Sequence, residues 1–444
     1  MIEFLKRNAG LAVILLIWVF SGIQLYEKGL TIISTGIILG TVLLLKRKNR
    51  LEEIYWGFLF VLMMSDSRFW YMAWAADVKN YYILLLAAFY ILDNKSFPYP
   101  NRLFWAFIPM FIWAFALVYR NPEPSLCFQK TLSYALLWIC LPPYFIKILI
   151  EKGNGFIRDT VFFIAWMLAL GLLIWPINPN FVNAIGRYNG LLGNPNAIGI
   201  YCTLFFFLFY IGKSRFPELF SKADTLIIYL LIILSLIFSG SRNAMMSILL
   251  FTLFSRFHKA SPVLSFALLL LAGLTYQLFL DNVGSIIQSL GLQKELRAET
   301  ISEASGRLIA WRFAWEHIQN NFFVGMGWDY DVHIFMKYQR MLMMMGHNGG
   351  VHNVAFGFWL TLGLVGVLLF FFGLFYTFIK AASKSPFAIP MLYGTLFSIT
   401  FEAWLMGSLN PYTNIFLLSL VVMTYEPQPA IVKSEPHTRF VPVL

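Results

Sequence analysis

Long apolar runs recur along the whole chain, separated by short polar stretches. A helix that crosses a bilayer needs about 20 apolar residues, with about 17 as the lower limit. Runs near 9–26, 31–46, 53–65, 80–92, 103–119, 131–149, 159–176, 197–212, 225–240, 243–256, 262–281, 353–380, 386–405 and 411–424 fit or approach that length. Those at 53–65, 80–92 and 243–256 are short, and re-entrant or interfacial placement is open for them. The pattern predicts an all-α polytopic membrane protein of about 12 to 14 spans. It divides the chain into a transmembrane bundle over 1–281, a large loop over 282–352, C-terminal spans over 353–425 and a polar, proline-bearing tail over 426–444.

Within the large loop, 307–319 reads as an amphipathic helix. Leu308, Trp311, Trp315 and Ile318 fall on one face, with Ser305 and Gly306 as starting signals. A second helix is predicted over 332–345. Gly346-His347-Asn348-Gly349-Gly350 breaks it and delivers His352 to the mouth of the next span. The pair is expected to lie along the membrane face with tryptophans at the interface.

Charge sets the orientation. Lys and Arg crowd one set of short loops: Lys6 and Arg7, Lys46 to Arg50, Lys95 and Arg102, Lys147 to Arg158, Lys213 to Lys222, Arg256 and Lys259, Lys380 and Lys384. The opposite short loops carry only Lys28, Arg68, Lys79, Arg120, Lys130, Arg187 and Arg242. The positive-inside rule then puts both termini in the cytoplasm and the large loop outside. The chain is 59% hydrophobic and 12% charged, against about 25% charged in soluble domains. The net charge of +11 is this loop bias. Its scatter argues against nucleic acid, which needs one basic patch. The first span lacks a cleavage site and is followed at once by a second, so no cleavable signal peptide is expected. Cys127, Cys140 and Cys202 form neither a disulfide framework nor a metal pattern.

Five places on the external side carry candidate chemistry. Gly186 to Asn196 is a Gly/Asn/Pro-rich turn with Arg187 in it. Its backbone N–H groups and the guanidinium suit an anion, while an ordinary turn with a snorkelling arginine is the alternative. Ser239-Gly240-Ser241-Arg242-Asn243 places a charge between two apolar stretches with almost no loop. A charge at membrane depth is functional by default; pairing with lipid head groups is the alternative. Arg307 opens the loop helix, where a cation opposes the helix dipole. His352 at a span entrance suits a general base, since imidazole titrates near working pH. His347 is either part of the same site or a loop histidine. A metal site of His333, His347 and His352 is disfavoured by the wide spacing. Glu402, inside the apolar run 386–405, is a candidate partner for one of these arginines.

These residues resemble the O-antigen ligase and O-antigen polymerase superfamily of bacterial envelope glycosyltransferases. Arg187 is followed by Gly190, Gly193, Asn194, Asn196 and Gly199 in the family's Gly-x-x-Gly-Asn-Pro-Asn-x-x-Gly pattern. Ser-Gly-Ser-Arg ends at Arg242, and Ser-Gly-Arg-x-x-x-Trp holds Arg307 and Trp311. Gly325 and Gly327 form Gly-x-Gly, and His352-Asn353 is followed by Gly363 and Gly366. The chain departs from the family at Asn243, often Gly, and at Thr361, often Glu.

The resemblance implies a periplasmic active site in the bacterial inner membrane and an undecaprenyl-diphosphate-linked glycan as donor. It implies lipid A–core as acceptor in a ligase, or a second lipid-linked glycan in a polymerase. It implies neither a cofactor nor a required metal. Arg187, Arg242 and His352 would be catalytic. Arg307, Asn194, Asn196, Asn353, Trp311 and His347 would bind substrate. Ligase is the preferred expectation and polymerase the alternative. A transporter is more remote, because no inverted repeat or pair of broken helices is visible. A membrane scaffold would leave the external Arg/His cluster without a use.

Overall fold

A computed structural model describes residues 1–92, 102–184, 186–261 and 306–426, with single positions 263, 264, 267 and 271 between. Most of the expected span 262–281, the loop before Gly306 and the tail from 427 lie outside the described residues. The apolar runs become helices α1 (Ile2–Arg7), α2 (Ala9–Glu27), α3 (Thr31–Arg47), α4 (Leu51–Ser65), α5 (Trp74–Leu92), α6 (Ile108–Ala116), α7 (Pro124–Lys152) and α8 (Gly155–Ile174). After the short α9 (Pro179–Val182) come α10 (Pro195–Arg215), α11 (Lys222–Ser239) and α12 (Arg242–Ala260). The loop supplies α13 (Arg307–Asn320), α14 (Tyr330–Lys337) and α15 (Gln339–Met344). The chain ends with α16 (Val354–Ala382), α17 (Ala388–Phe401) and α18 (Pro411–Thr424). Among the described residues, seven helices are long and apolar enough to cross a membrane, and three shorter apolar ones accompany them. The protein is an all-α, multi-pass membrane protein.

Burial separates the inner helices from the outer ones. All of α18 is buried, and α10, packed beside it, is buried along most of its length. By contrast α2 buries only Leu11, Leu15, Trp18 and Gly22, a narrow stripe at three- and four-residue steps. The rest of α2 points outward and is equally apolar: Leu16 is 69% and Phe20 71% exposed. A helix greasy on its outer face has hydrocarbon as its solvent.

Two helices run past their apolar cores. α7 starts at Pro124 instead of 131 because its polar first turns are satisfied inside the protein: Lys130 pairs with Asp329 of the loop. α16 is kinked at Gly363, where φ is +68° and the helical conformation is interrupted. The break frees backbone groups for the incoming loop. Leu364 N–H donates to the Phe322 carbonyl at 2.9 Å, and Gly327 N–H donates to the Thr361 carbonyl at 2.7 Å.

The loop helices differ from expectation in one respect. α13 buries Ala310, Phe313, Ala314 and Ile318, while Leu308 is 47% exposed. The helix is held from two sides. Trp311 and Trp315 meet Phe356 and Trp359 of α16, and Phe313 meets Phe335 of α14 and Tyr338. A single-face pattern cannot describe a helix wedged between two partners. The predicted helix over 332–345 is two helices, parted at Tyr338.

Candidate active site

The first wall of the site is built between α9 and α10. Strands β1 (Asn183–Ala184) and β2 (Arg187–Tyr188) pair antiparallel, with Ala184 opposite Arg187. This tight hairpin presents Arg187. Its Nε donates to the Ser239 carbonyl at 2.7 Å, so the cation caps the C-terminal end of α11. Beyond it, Asn194 Oδ1 accepts from the N–H groups of Asn196 and Ala197, both at 2.9 Å, and Pro195 opens α10. Asn-Pro is a helix-start device here.

The second wall is the α11–α12 turn. Gly240 takes the left-handed conformation that ends α11. Ser241 seats on α10 so closely that a Cβ at Gly199 would lie 2.3 Å from its Oγ. Arg242 then starts α12 with its side chain exposed. A cation at a helix N-terminus is opposed by the dipole. Asn243 Nδ2 donates to the Ser398 carbonyl at 3.3 Å, a tie to α17.

The third wall is the loop. Arg307 at the start of α13 and Glu402 at the end of α17 pair at 2.6 Å. Glu402 is 6% exposed and also accepts from Asn196 Nδ2 at 2.9 Å. Its second oxygen lies 3.5 Å from His352 Nδ1. His352 has φ of +47°, a strained conformation for a residue with a side chain. Asn353 fixes it from behind: Oδ1 accepts from Phe356 N–H at 2.9 Å and Nδ2 donates to the Thr400 carbonyl at 3.0 Å. A Cβ at Gly349 would come within 2.8 Å of His352 Nε2, so glycine keeps that nitrogen's approach open.

The three walls enclose a cleft of about 260 Å³. Arg187, Arg242, Arg307, His347, His352 and Asn196 all line it, with Gly240 to Asn243 and Asn348. Among the described residues no carboxylate lines it, so the cleft is cationic. The motifs spread along the sequence therefore meet in space.

Other expected site residues bond the backbone around the cleft. Asn194 and Asn353 spend their side chains on helix starts. Trp311 Nε1 donates to the Val351 carbonyl at 3.1 Å, holding the segment just before His352. His347 is 4% exposed and its Nε2 reaches the carbonyls of Gly349 and Gly350 at 3.1 and 3.2 Å. That arrangement makes Nε2 the donor. Burial and the neighbouring His352 hold the His347 imidazole below the usual histidine range. Its ring lies 5.9 Å from that of His352, nearly perpendicular.

Thr361, where the family often has Glu, is fully buried and its hydroxyl bonds back to the Gly357 carbonyl. Glu402 is the carboxylate beside His352. It was legible only as an isolated charge in an apolar run, and its three partners come from three distant segments. His333, 3.0 Å from Glu123, does not line the cleft. Among the described residues no three His, Cys, Asp or Glu side chains are grouped as a metal site requires.

Residues 227–371 match the family model described as O-Antigen ligase. That segment of the chain is similar to the O-antigen ligase family. Members of this family are glycosyltransferase-like enzymes. The matched segment contributes Arg242, Arg307, His347 and His352 to the cleft. Arg187 and Asn196 precede the matched segment, and Glu402 follows it. No curated protein matches the chain.

Proposed function

We propose that the protein is a membrane glycosyltransferase that moves a glycan from an undecaprenyl-diphosphate carrier to lipid A–core, an O-antigen ligase. The observation that carries this reading is one cationic cleft in which three arginines stand beside a histidine backed by a buried carboxylate. A lipid diphosphate offers the anionic oxygens that arginine forks recognise.

In the proposed reaction Glu402 takes the Nδ1 side of His352, which leaves Nε2 to accept the proton of the acceptor hydroxyl. The acceptor oxygen attacks the anomeric carbon. The bond from that carbon to the diphosphate oxygen breaks on the opposite face, with inversion. Undecaprenyl diphosphate departs with one more negative charge, and Arg187 and Arg242 stabilise that charge as it develops. Arg307, tied to Glu402, shapes the entrance for glycan and acceptor. With both termini cytoplasmic, as the loop charges imply, the cleft opens on the periplasmic face of the inner membrane.

The test uses purified protein in nanodiscs with an undecaprenyl-diphosphate glycan and chelator, with or without lipid A–core. Glycan joined to lipid A–core is the expected product. Longer lipid-linked glycan without added acceptor would make the chain a polymerase. A His352→Ala protein that transfers at the wild-type rate would remove the base assignment, and no product under either condition would remove the transferase reading.

A further inference from the structure

Asp66 follows α4, far in sequence from every residue of the cleft and outside the matched segment. Its Oδ2 accepts a hydrogen bond from the Tyr412 hydroxyl at 2.7 Å and from the Gly193 N–H at 3.4 Å. The contact with the Gly193 loop is also steric: a Cβ at Gly193 would lie 2.4 Å from the Asp66 carbonyl oxygen.

Both partners sit at helix starts. Gly193 immediately precedes the Asn194-Pro195 start of α10. Tyr412 follows the matching Asn410-Pro411 start of α18, where Asn410 Oδ1 accepts from Thr413 N–H at 2.7 Å. The two helices pack side by side, and because one Asp66 oxygen reaches both starts, their positive ends lie together. A carboxylate between them is favoured by both and bonded to both. Three residues after Gly193, Asn196 donates to Glu402 at 2.9 Å, and Glu402 faces His352 at 3.5 Å.

We infer that Asp66 is a positioning residue for the transfer reaction. It braces the 190–196 loop against α4 and α18, so that Asn196 holds Glu402 and, through it, His352. The inference rests on the glycan-transfer reading for its kinetic consequence and on contacts alone for the brace.

The test compares Asp66→Ala with Asp66→Asn, whose amide oxygen can keep both hydrogen bonds. Misplacement by about 1 Å costs on the order of a hundredfold in rate, so Asp66→Ala should lower kcat by about ten- to a hundredfold. The KM for donor should stay within about twofold, because Arg187 and Arg242 are untouched. Asp66→Asn should recover most of the loss. In an Asn196→Ala background Asp66→Ala should add less than about twofold, since both act through one contact. Amides of 190–197 should exchange hydrogen faster in Asp66→Ala. If that protein fails to fold, Tyr412→Phe carries the same comparisons. Wild-type kcat in Asp66→Ala, an undiminished effect in the Asn196→Ala background, or unchanged amide exchange would each overturn the inference. A wild-type chain inert on the glycan donor, with a loop that still loosens in Asp66→Ala, would support the brace and overturn the transfer reading separately.

Discussion

Glu402 and His352 stand 3.5 Å apart, and the same carboxylate binds Arg307 and Asn196. The group thus faces the proposed base on one oxygen and two donors on the other. Glu402→Gln keeps an acceptor for Arg307 and Asn196 but turns an N–H₂ toward His352 Nδ1. The imidazole then carries its proton on Nε2 and cannot take another from the acceptor. We expect kcat to fall by about 10²–10⁴-fold, the range for a general base and its tautomer, with thermal stability close to wild type. Glu402→Ala should cost stability as well, because it leaves Arg307 without its partner. Turnover together with thermal unfolding separates the two variants; wild-type turnover in Glu402→Gln would end the orienting role.

The arginines should not tolerate lysine equally. Arg187 caps the α11 C-terminus through Nε while lining the cleft. A lysine has one nitrogen for both tasks. Losing a charge-assisted hydrogen bond costs about 1.5–3 kcal/mol, so Arg187→Lys should lose about ten- to a hundredfold in kcat/KM. Arg242 projects from a helix start, where a point charge can follow the phosphate, so Arg242→Lys should lose less. Kinetics with the lipid-diphosphate donor check the order, and the reverse order would contradict it.

Much of the fold was legible because membrane helices announce themselves by length and apolarity, and each run within the described residues became a helix. The cleft was legible where a local break in pattern coincided with a charge, as at Arg187, Arg242, Arg307 and His352. The wider network was less visible. Glu402 shows as a lone charge, and nothing local tells that Asn196, Arg307 and His352 surround it. Asp66 reads as an ordinary polar residue after a span, because its partners lie 127 and 346 residues away. Asn194 and Asn353 were read as ligands for substrate, although an asparagine directly before an apolar run is a helix-cap signal. The buried faces of α13 were misjudged because its packing surfaces come from two elements.

Gly363 should be among the least replaceable residues of α16. Its φ is +68°, and a Cβ there would lie 2.3 Å from the Phe323 carbonyl oxygen. Gly363→Ala thus meets backbone strain and a backbone clash together. Strain at such a site costs about 1–3 kcal/mol, before the clash is counted. The expected result is a lower unfolding temperature and loss of the docking that carries α13 and α14 to the cleft. Limited proteolysis of the 320–327 segment reads the docking directly, and a variant with wild-type melting and protection would refute this account.

Asp331 supplies a pH dependence outside the membrane-spanning segments. Burial, then the neighbouring Asp329, push its carboxyl up to about 6, against the opposing pull of its backbone hydrogen bonds and Lys130. In the unfolded chain an aspartate titrates near about 3.9. Below that value both states hold the proton, and the favourable contribution is complete. As pH rises toward about 6 the unfolded chain gives up its proton first, so stability falls; above that value the loss is complete. Asp331→Asn cannot ionise. It should match wild type at acid pH and melt about 2–4 °C higher at alkaline pH. The difference between their melting curves reports this side chain together with the neighbouring charges of Asp329 and Lys130 that act on it. The effect bears on the cleft because α14 also carries Phe335, whose ring lies 5.9 Å from that of His347. An equal shift at both pH values would mean that Asp331 matters through packing and not through its charge.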